Sequence, residues 1–174
     1  MKKSIIIFVL ALTSVSAWAQ SQVTTLILVR HAERQEDGSK DPGISSAGEE
    51  RAAALAQLLG AADIDAIYST AFKRTRNTVQ PLAAKKGLTL MDYNPMSGED
   101  LDNILSKHKG KTVVVCGHSN TTPQVANYFL GEKKYPDFKD SDYDNLLILS
   151  VIEKGNATLT WLNYGAPTVA GMEK

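Results

Sequence analysis

The sequence predicts an α/β sandwich, and three observations carry that expectation. Strand-like and helix-like segments alternate along the chain. Thr112-Val-Val-Val-Cys116 is apolar on both faces, the pattern of a central strand covered from both sides. Leu26-Ile-Leu-Val29 is a second buried-strand run, and it ends abruptly in Arg30, His31, Ala32 and Glu33. Chargeable residues at such a tip sit where open α/β sheets bind ligands. With 174 residues, 43 % of them hydrophobic, the chain has the material for one domain with a real core.

The first nineteen residues stand apart. Lys2 and Lys3 precede an apolar run from Ile5 to Leu12, and Ala17-Trp18-Ala19 is a small-x-small cleavage site. This is the pattern of a secretory signal peptide covering 1–19, with a single domain over 20–174. The run is shorter than the roughly 20 residues a spanning helix needs, which argues against an uncleaved anchor. An exported protein meets an oxidising compartment, yet Cys116 is the lone cysteine and forms no internal disulfide. Its place inside an apolar run reads as packing.

The elements follow in order. Thr24 to Arg30 is the first strand, and Gln35 to Ile44 is a polar loop with Gly38, Pro42 and Gly43. Ser46-Ala-Gly-Glu49 fits a capping box for a helix in which Ala52, Leu55, Ala56 and Leu59 share one face. Ala66 to Ser69 is a short strand. Phe72 to Lys86 is helix-like, with Pro81 as a kink or a break. Leu88 to Met91 is a strand, and Ser97 or Gly98 caps a helix running to His108. After the Val-rich strand, Thr121 to Leu130 is helical, with Pro123 in the first turn and Gly131 as its stop. Glu132 to Asp144 is a charged, aromatic-bearing loop. Leu146 to Ile152 and Ala157 to Leu162 form a hairpin turning at Lys154-Gly155-Asn156. The last ten residues read as a loose tail.

Charge is balanced, with 19 basic and 19 acidic residues, and loss of Lys2 and Lys3 leaves a slight acidic excess. This gives no support for nucleic-acid or membrane-surface partners. The chemistry-bearing residues are local. Arg30 and His31, the stretch Ser69 to Thr78, and Gly117-His118-Ser119-Asn120 each follow a strand. Parallel strands would deliver all three to one sheet edge. That edge would hold two histidines with Arg30 and Arg74, and Arg76 is a further candidate for it. Such a set suits phosphoryl transfer. The phosphoryl group carries negative charge on three oxygens, arginine forks match it, and neutral imidazole is a nucleophile near pH 7. No metal or other cofactor is required, since cationic side chains supply the electrostatics. His108, at a Lys-rich helix end, reads as structural.

The motifs carry a resemblance. Leu28-Val-Arg-His-Ala-Glu33 looks like the opening motif of the histidine phosphatase superfamily, also called phosphoglycerate mutase-like. Tyr68-Ser-Thr-Ala-Phe-Lys-Arg-Thr-Arg-Asn-Thr78 is similar to that family's second motif. Ile44-Ser45 with Gly48 and Arg51 is similar to its helix-opening segment, and Val115-Cys-Gly-His-Ser119 to its second histidine motif. They stand in the family's order between Thr24 and Leu130. The form suggested is a small secreted bacterial one.

The resemblance implies a three-layer α/β/α fold around a mostly parallel sheet. It implies His31 as a nucleophile that becomes phosphorylated, with Arg30, Arg74 and His118 gripping the phosphate. Water then hydrolyses the phosphohistidine. The sequence departs from the family in having Ala32 where many members have glycine. The general acid is open: Glu99, Asp100, Glu33 or none. Ser119 and Asn120 follow His118, where the acid phosphatase and phytase branch has an aspartate. Glu99 is the leading candidate, by analogy with the mutase-like branch. Short connections near Met91 and after Gly131 predict an open, shallow pocket for small phosphate esters, phosphoramidates or a phosphate on a protein surface. The expected protein is thus an exported, periplasmic or secreted phosphomonoesterase. Two rival expectations are a catalytically weak phosphate-binding module and a metal-dependent hydrolase built on His31 and His118.

Overall fold

A computed structural model describes residues 23–168. The signal-peptide expectation at 1–19 lies outside these residues, as does the end of the tail. Six strands form one sheet: β1 (Thr24–Arg30), β2 (Ala66–Ser69), β3 (Leu90–Asp92), β4 (Thr112–Gly117), β5 (Asn145–Glu153) and β6 (Asn156–Asn163). Their spatial order is β3-β2-β4-β1-β5-β6. The four strands β1 to β4 run parallel, and β5 pairs antiparallel with both β1 and β6. The helices are α1 (Ser46–Leu58), α2 (Lys73–Lys86), α3 (Gly98–Lys107) and α4 (Thr121–Leu130). The predicted α/β/α sandwich is therefore the observed architecture.

Strand alternation builds two cores. Leu26, Leu28, Val113, Val115 and Leu147 pack against Leu101 and Ile104 of α3 and Val125 and Phe129 of α4. Ile27, Val29, Val114, Cys116 and Leu146 pack against Leu55 of α1 and Val79 and Leu82 of α2. Neighbouring strands β1 and β4 thus send their following helices to opposite faces of the sheet. That is the topological switch point at which α/β sheets open a crevice. The β1–β4 register sets Arg30 beside Gly117. The ladder runs one residue further, since the His31 N–H donates to the Gly117 carbonyl at 2.9 Å. His31 and His118 therefore emerge side by side at the switch point.

Several boundaries differ from the sequence expectation for identifiable reasons. The cap of α1 is Ser45, one residue before the expected Ser46, and its hydroxyl accepts from the Gly48 N–H. Ser45 is held extended because its own N–H donates to the Glu33 carbonyl at 2.8 Å. Gly48 runs against that same carbonyl, with no room for a Cβ. Pro81 breaks nothing: α2 is continuous through it. The proline is on the exposed side, while Val79, Leu82 and Ala83 are buried against the sheet. Burial of that face outweighs the proline's cost of about 3 kcal/mol, which combines a missing helical hydrogen bond with crowding of the ring against the preceding turn. β3 begins at Leu90 rather than Leu88, because the Leu88 N–H closes the end of α2 on the Ala83 carbonyl past a left-handed Gly87.

The start of the expected loose tail is anchored. Buried Arg51 donates to the carbonyls of Tyr164 and Ala166, each at 2.8 Å, and Thr168 donates to Asp144 at 2.6 Å. A guanidinium with five N–H groups inside a protein needs acceptors, and this segment supplies them. No helix among the described residues is long and apolar enough to cross a membrane.

Candidate active site

An open cleft of about 600 Å³ lies at the C-terminal edge of the parallel strands. Its lining includes Arg30, His31, Thr70, Phe72, Arg74 and His118, with Tyr93 to Met96 and Ser119 to Thr121 around them. Three strand ends meet here, as their sequence positions imply.

His31 is the floor. It is 4 % exposed, and its Nδ1 lies 2.8 Å from the Ala32 carbonyl. A carbonyl only accepts, so Nδ1 carries the hydrogen and Nε2 keeps its lone pair. Burial pushes the His31 pKa down to about 3, and Arg30, His118 and Arg74 push the same way against the Ala32 hydrogen bond. The ring is neutral at ordinary pH. The backbone here is fixed as well: the Ala32 N–H donates to Thr78 Oγ1 at 2.8 Å, and that hydroxyl donates to the Arg74 carbonyl at 2.7 Å.

His118 stands 5.4 Å away, centroid to centroid, with its ring edge-on. Arg74 Nη2 is 3.3 Å from its Nδ1, and Thr70 Oγ1 is 2.9 Å from its Nε2. A guanidinium only donates, so Nδ1 is the acceptor and Nε2–H donates to Thr70. Thr70 is tied in turn to Thr75 Oγ1 at 2.9 Å, and Thr75 donates to the Phe72 carbonyl at 2.8 Å. Burial, then Arg74 and Arg30, lower the His118 pKa to about 4.

The two arginines are held differently. Arg30 is buried, and its Nη1 donates to the carbonyls of Lys139, Asp140 and Asp142 at 2.9, 3.1 and 3.0 Å. Its guanidinium lies 4.1 Å from the Tyr143 ring centroid. Burial lowers its pKa, while Tyr143, Asp140 and Asp142 oppose that shift. Its Nε is buried without a hydrogen-bond partner among the described residues. Arg74 leans on the Phe72 ring at 4.4 Å and lies 3.8 Å from Asp41.

The remaining sequence candidates fall outside this group. Arg76 grips Asp92 at 2.6 Å, away from the cleft lining. Glu99 is exposed in the first turn of α3 and does not line the cleft. Asp100 is spent on that helix's start, accepting from the Asn94 N–H at 2.8 Å and from the Ser97 hydroxyl at 3.2 Å. Glu33 is clasped by Arg51 through Nε at 3.0 Å and Nη2 at 2.7 Å. Burial works to raise its pKa, but the Arg51 hydrogen bonds win and hold the carboxyl below its usual range. His108 is buried at the far end of the sheet, bonded to the Tyr68 hydroxyl at 3.0 Å. Among the described residues, no group of three or more His, Cys, Asp or Glu could hold a metal ion. Burial raises the Cys116 pKa, as packing in the core requires.

Sequence reasoning passed over Tyr143 and the 139–142 carbonyls, which hold Arg30, and Thr70, which holds His118. Thr70 and Thr78 lie within the second motif and were findable there. Tyr143 carries no local signal, because it reaches Arg30 only through the fold.

Comparison with known proteins bears on the family and the fold. The model of the histidine phosphatase superfamily (branch 1) matches residues 26–95, a stretch containing Arg30, His31 and Arg74. The chain is similar to phosphoserine phosphatase 1 from Hydrogenobacter thermophilus, with 34 % identity over 97 residues. That match covers 48 % of this chain and 46 % of the relative, so the chain spans about half the length of that protein. Among solved structures, the protein histidine phosphatase SixA complexed with tungstate superposes with a TM-score of 0.65 at 14 % identity, covering 80 % of this chain and 96 % of that one. Bacillus stearothermophilus YhfR superposes at 0.64 with 16 % identity, covering 79 % and 95 %. The fold is that of phosphoglycerate mutase-like histidine phosphatase structures.

Proposed function

We propose that this protein is a phosphatase of the histidine phosphatase superfamily that hydrolyses phosphate esters or phosphoramidates through a covalent phosphohistidine on His31. The observation that carries the reading is the 2.8 Å contact of His31 Nδ1 with the Ala32 carbonyl, which leaves Nε2 unprotonated between Arg30, Arg74 and His118. The superfamily match and the phosphatase names of similar proteins support it.

In the first step Nε2 attacks phosphorus, and the bond to the leaving group breaks with its electron pair on the departing oxygen or nitrogen. Solvent at the open mouth protonates that atom. Arg74, the Nε–H of Arg30 (unpartnered among the described residues) and Arg30 Nη2, which lies 3.8 Å from the exposed Asp140, are the donors available to the charge on the phosphoryl oxygens. A phosphate dianion arriving beside His118 favours its protonated form, which turns Nδ1 from acceptor to donor. Water then attacks phosphorus, the P–N pair returns to Nε2, and inorganic phosphate leaves.

No step calls on a metal. The segment 1–19 supports export to the periplasm or beyond, with a small phosphorylated molecule or a protein-borne phosphate as substrate. The test is a quench of enzyme with a 32P-labelled phosphate donor. An acid-labile, base-stable phosphoenzyme is expected in the wild type and absent in His31→Ala, in a chelator as without one. An undiminished label in His31→Ala overturns the nucleophile. Stoichiometric phosphate binding without turnover leaves the anion-binding module instead.

A further inference from the structure

The mouth of the cleft narrows the substrate class, an inference that rests on His31 as the nucleophile. In-line displacement puts the leaving atom opposite Nε2. His31 is nearly enclosed at the floor, so the opposite direction is the mouth. Two large apolar side chains stand there, Phe72 at 42 % and Met96 at 72 % exposure. Seven large hydrophobic side chains are exposed among the described residues, and only these two line the cleft. Phe72 packs on two residues of the site. The Arg74 guanidinium lies on its ring at 4.4 Å, and the His118 ring meets it at right angles with centroids 5.0 Å apart. The same group of side chains that would hold the phosphate therefore also packs against an aromatic wall above it.

The charged groups of the cleft point to the same class. Arg30 and Arg74 belong to the phosphate, and Arg34 is bonded to Glu36 at 3.2 Å. No cluster of free cations remains among the lining residues for a second anionic group. Carboxylates are also out of place for protonating a leaving oxygen. Glu33 is held by Arg51, Glu99 is outside the lining, and Asp140 is 93 % exposed beside Arg30 at 3.8 Å. With the protonated His118 directed to the phosphoryl oxygens, a leaving group that departs without a carboxylic acid beside it must be a stable anion. Phenolates are, with a conjugate-acid pKa of about 10, whereas simple alkoxides are far more basic. An aromatic ring also suits the wall, since rings pack edge-to-face on Phe and against the sulfur of Met.

We infer that the site selects phosphate monoesters of aromatic alcohols, with the aromatic ring of the leaving group seated between Phe72 and Met96. The bond cleaved is the phosphorus–oxygen bond, and the phenolate oxygen keeps the pair and takes a proton from water.

The experiment separates ring shape from leaving-group acidity. It measures kcat/KM of the full chain for phenyl phosphate, for propyl phosphate, and for a fluorinated alkyl phosphate whose alcohol is about as acidic as phenol. The inference expects phenyl phosphate to exceed the acidity-matched alkyl ester by about tenfold. It expects Met96→Ser and Phe72→Leu each to narrow that ratio about three- to fivefold. Because the readout is a ratio, a general loss of phosphate grip cancels. A wild-type ratio near one, or a ratio unmoved by both substitutions, overturns the inference while leaving the phosphatase reading intact. No turnover of any ester, with no phosphoenzyme, overturns both.

Discussion

Acidification from pH 7 to pH 5 should destabilise the fold through its two cleft histidines. In the unfolded chain each titrates near 6.5. In the fold His31 titrates near 3, chiefly because it is buried, and His118 near 4 for the same first reason, with Arg74 and Arg30 adding to it. Folded values below unfolded ones mean that the unfolded state takes up protons first as pH falls. Stability therefore declines from about pH 6.5 downward and goes on declining until the folded rings protonate near 4 and 3. At pH 5 the full linkage is about 2 kcal/mol per ring. His31 keeps that value because it is enclosed. His118 is more open to solvent, and screening reduces its share to about 1 kcal/mol. Together they should remove about 3 kcal/mol, a large part of the 5–15 kcal/mol typical of a domain. The assay is urea unfolding at pH 7 and pH 5 for wild type, His31→Asn and His118→Asn. The quantity compared is the change between the two pH values, so the intrinsic cost of each substitution drops out. His31→Asn should lose about 2 kcal/mol less than wild type on acidification. An equal loss in the two proteins would refute the assignment of a neutral, enclosed His31.

Three further outcomes follow from particular contacts. Thr70→Val removes the acceptor for His118 Nε2–H in a part-buried setting; an orphaned donor of this kind costs about 1–3 kcal/mol. Steady-state kinetics on a phosphate monoester should show kcat falling roughly tenfold or more, with a displaced His118 ring resonance; an unchanged kcat would remove Thr70 as its positioning residue. Arg51→Met strands the Glu33 carboxylate and two carbonyls of the 164–166 segment. Thermal unfolding should register a loss of about 3 kcal/mol, and Arg51→Lys should recover little, since lysine cannot reproduce the fork. Glu99→Gln alters an exposed side chain outside the cleft lining. Rates on aryl and alkyl esters should both stay within about twofold, as for a typical surface substitution of under 0.5 kcal/mol; a large loss confined to alkyl esters would make Glu99 the acid after all.

The sequence by itself determined the number, type and order of the strands and helices, and the chargeable residues that follow the parallel strands. Thr24–Arg30 and Ala66–Ser69 are apolar runs closed by polar residues, so their limits are written locally. Arg30, His31, Arg74 and His118 were legible for a related reason: chargeable groups directly after buried strands have few places to go except a sheet edge. Other features needed the tertiary structure. The cap of α1 moved from Ser46 to Ser45 because the distant Glu33 carbonyl holds Ser45 extended. Arg30 is gripped by carbonyls more than a hundred residues away, and nothing near Tyr143 in the chain announces that it covers that guanidinium. Glu99 had the right residue type in the right segment, yet the rotation of α3 about its axis, set by burying Leu101, Ile104 and Leu105, leaves it exposed and outside the cleft lining. Local pattern records which face of an element is apolar. Which polar groups then meet depends on how those faces are satisfied together, and only the packed molecule decides that.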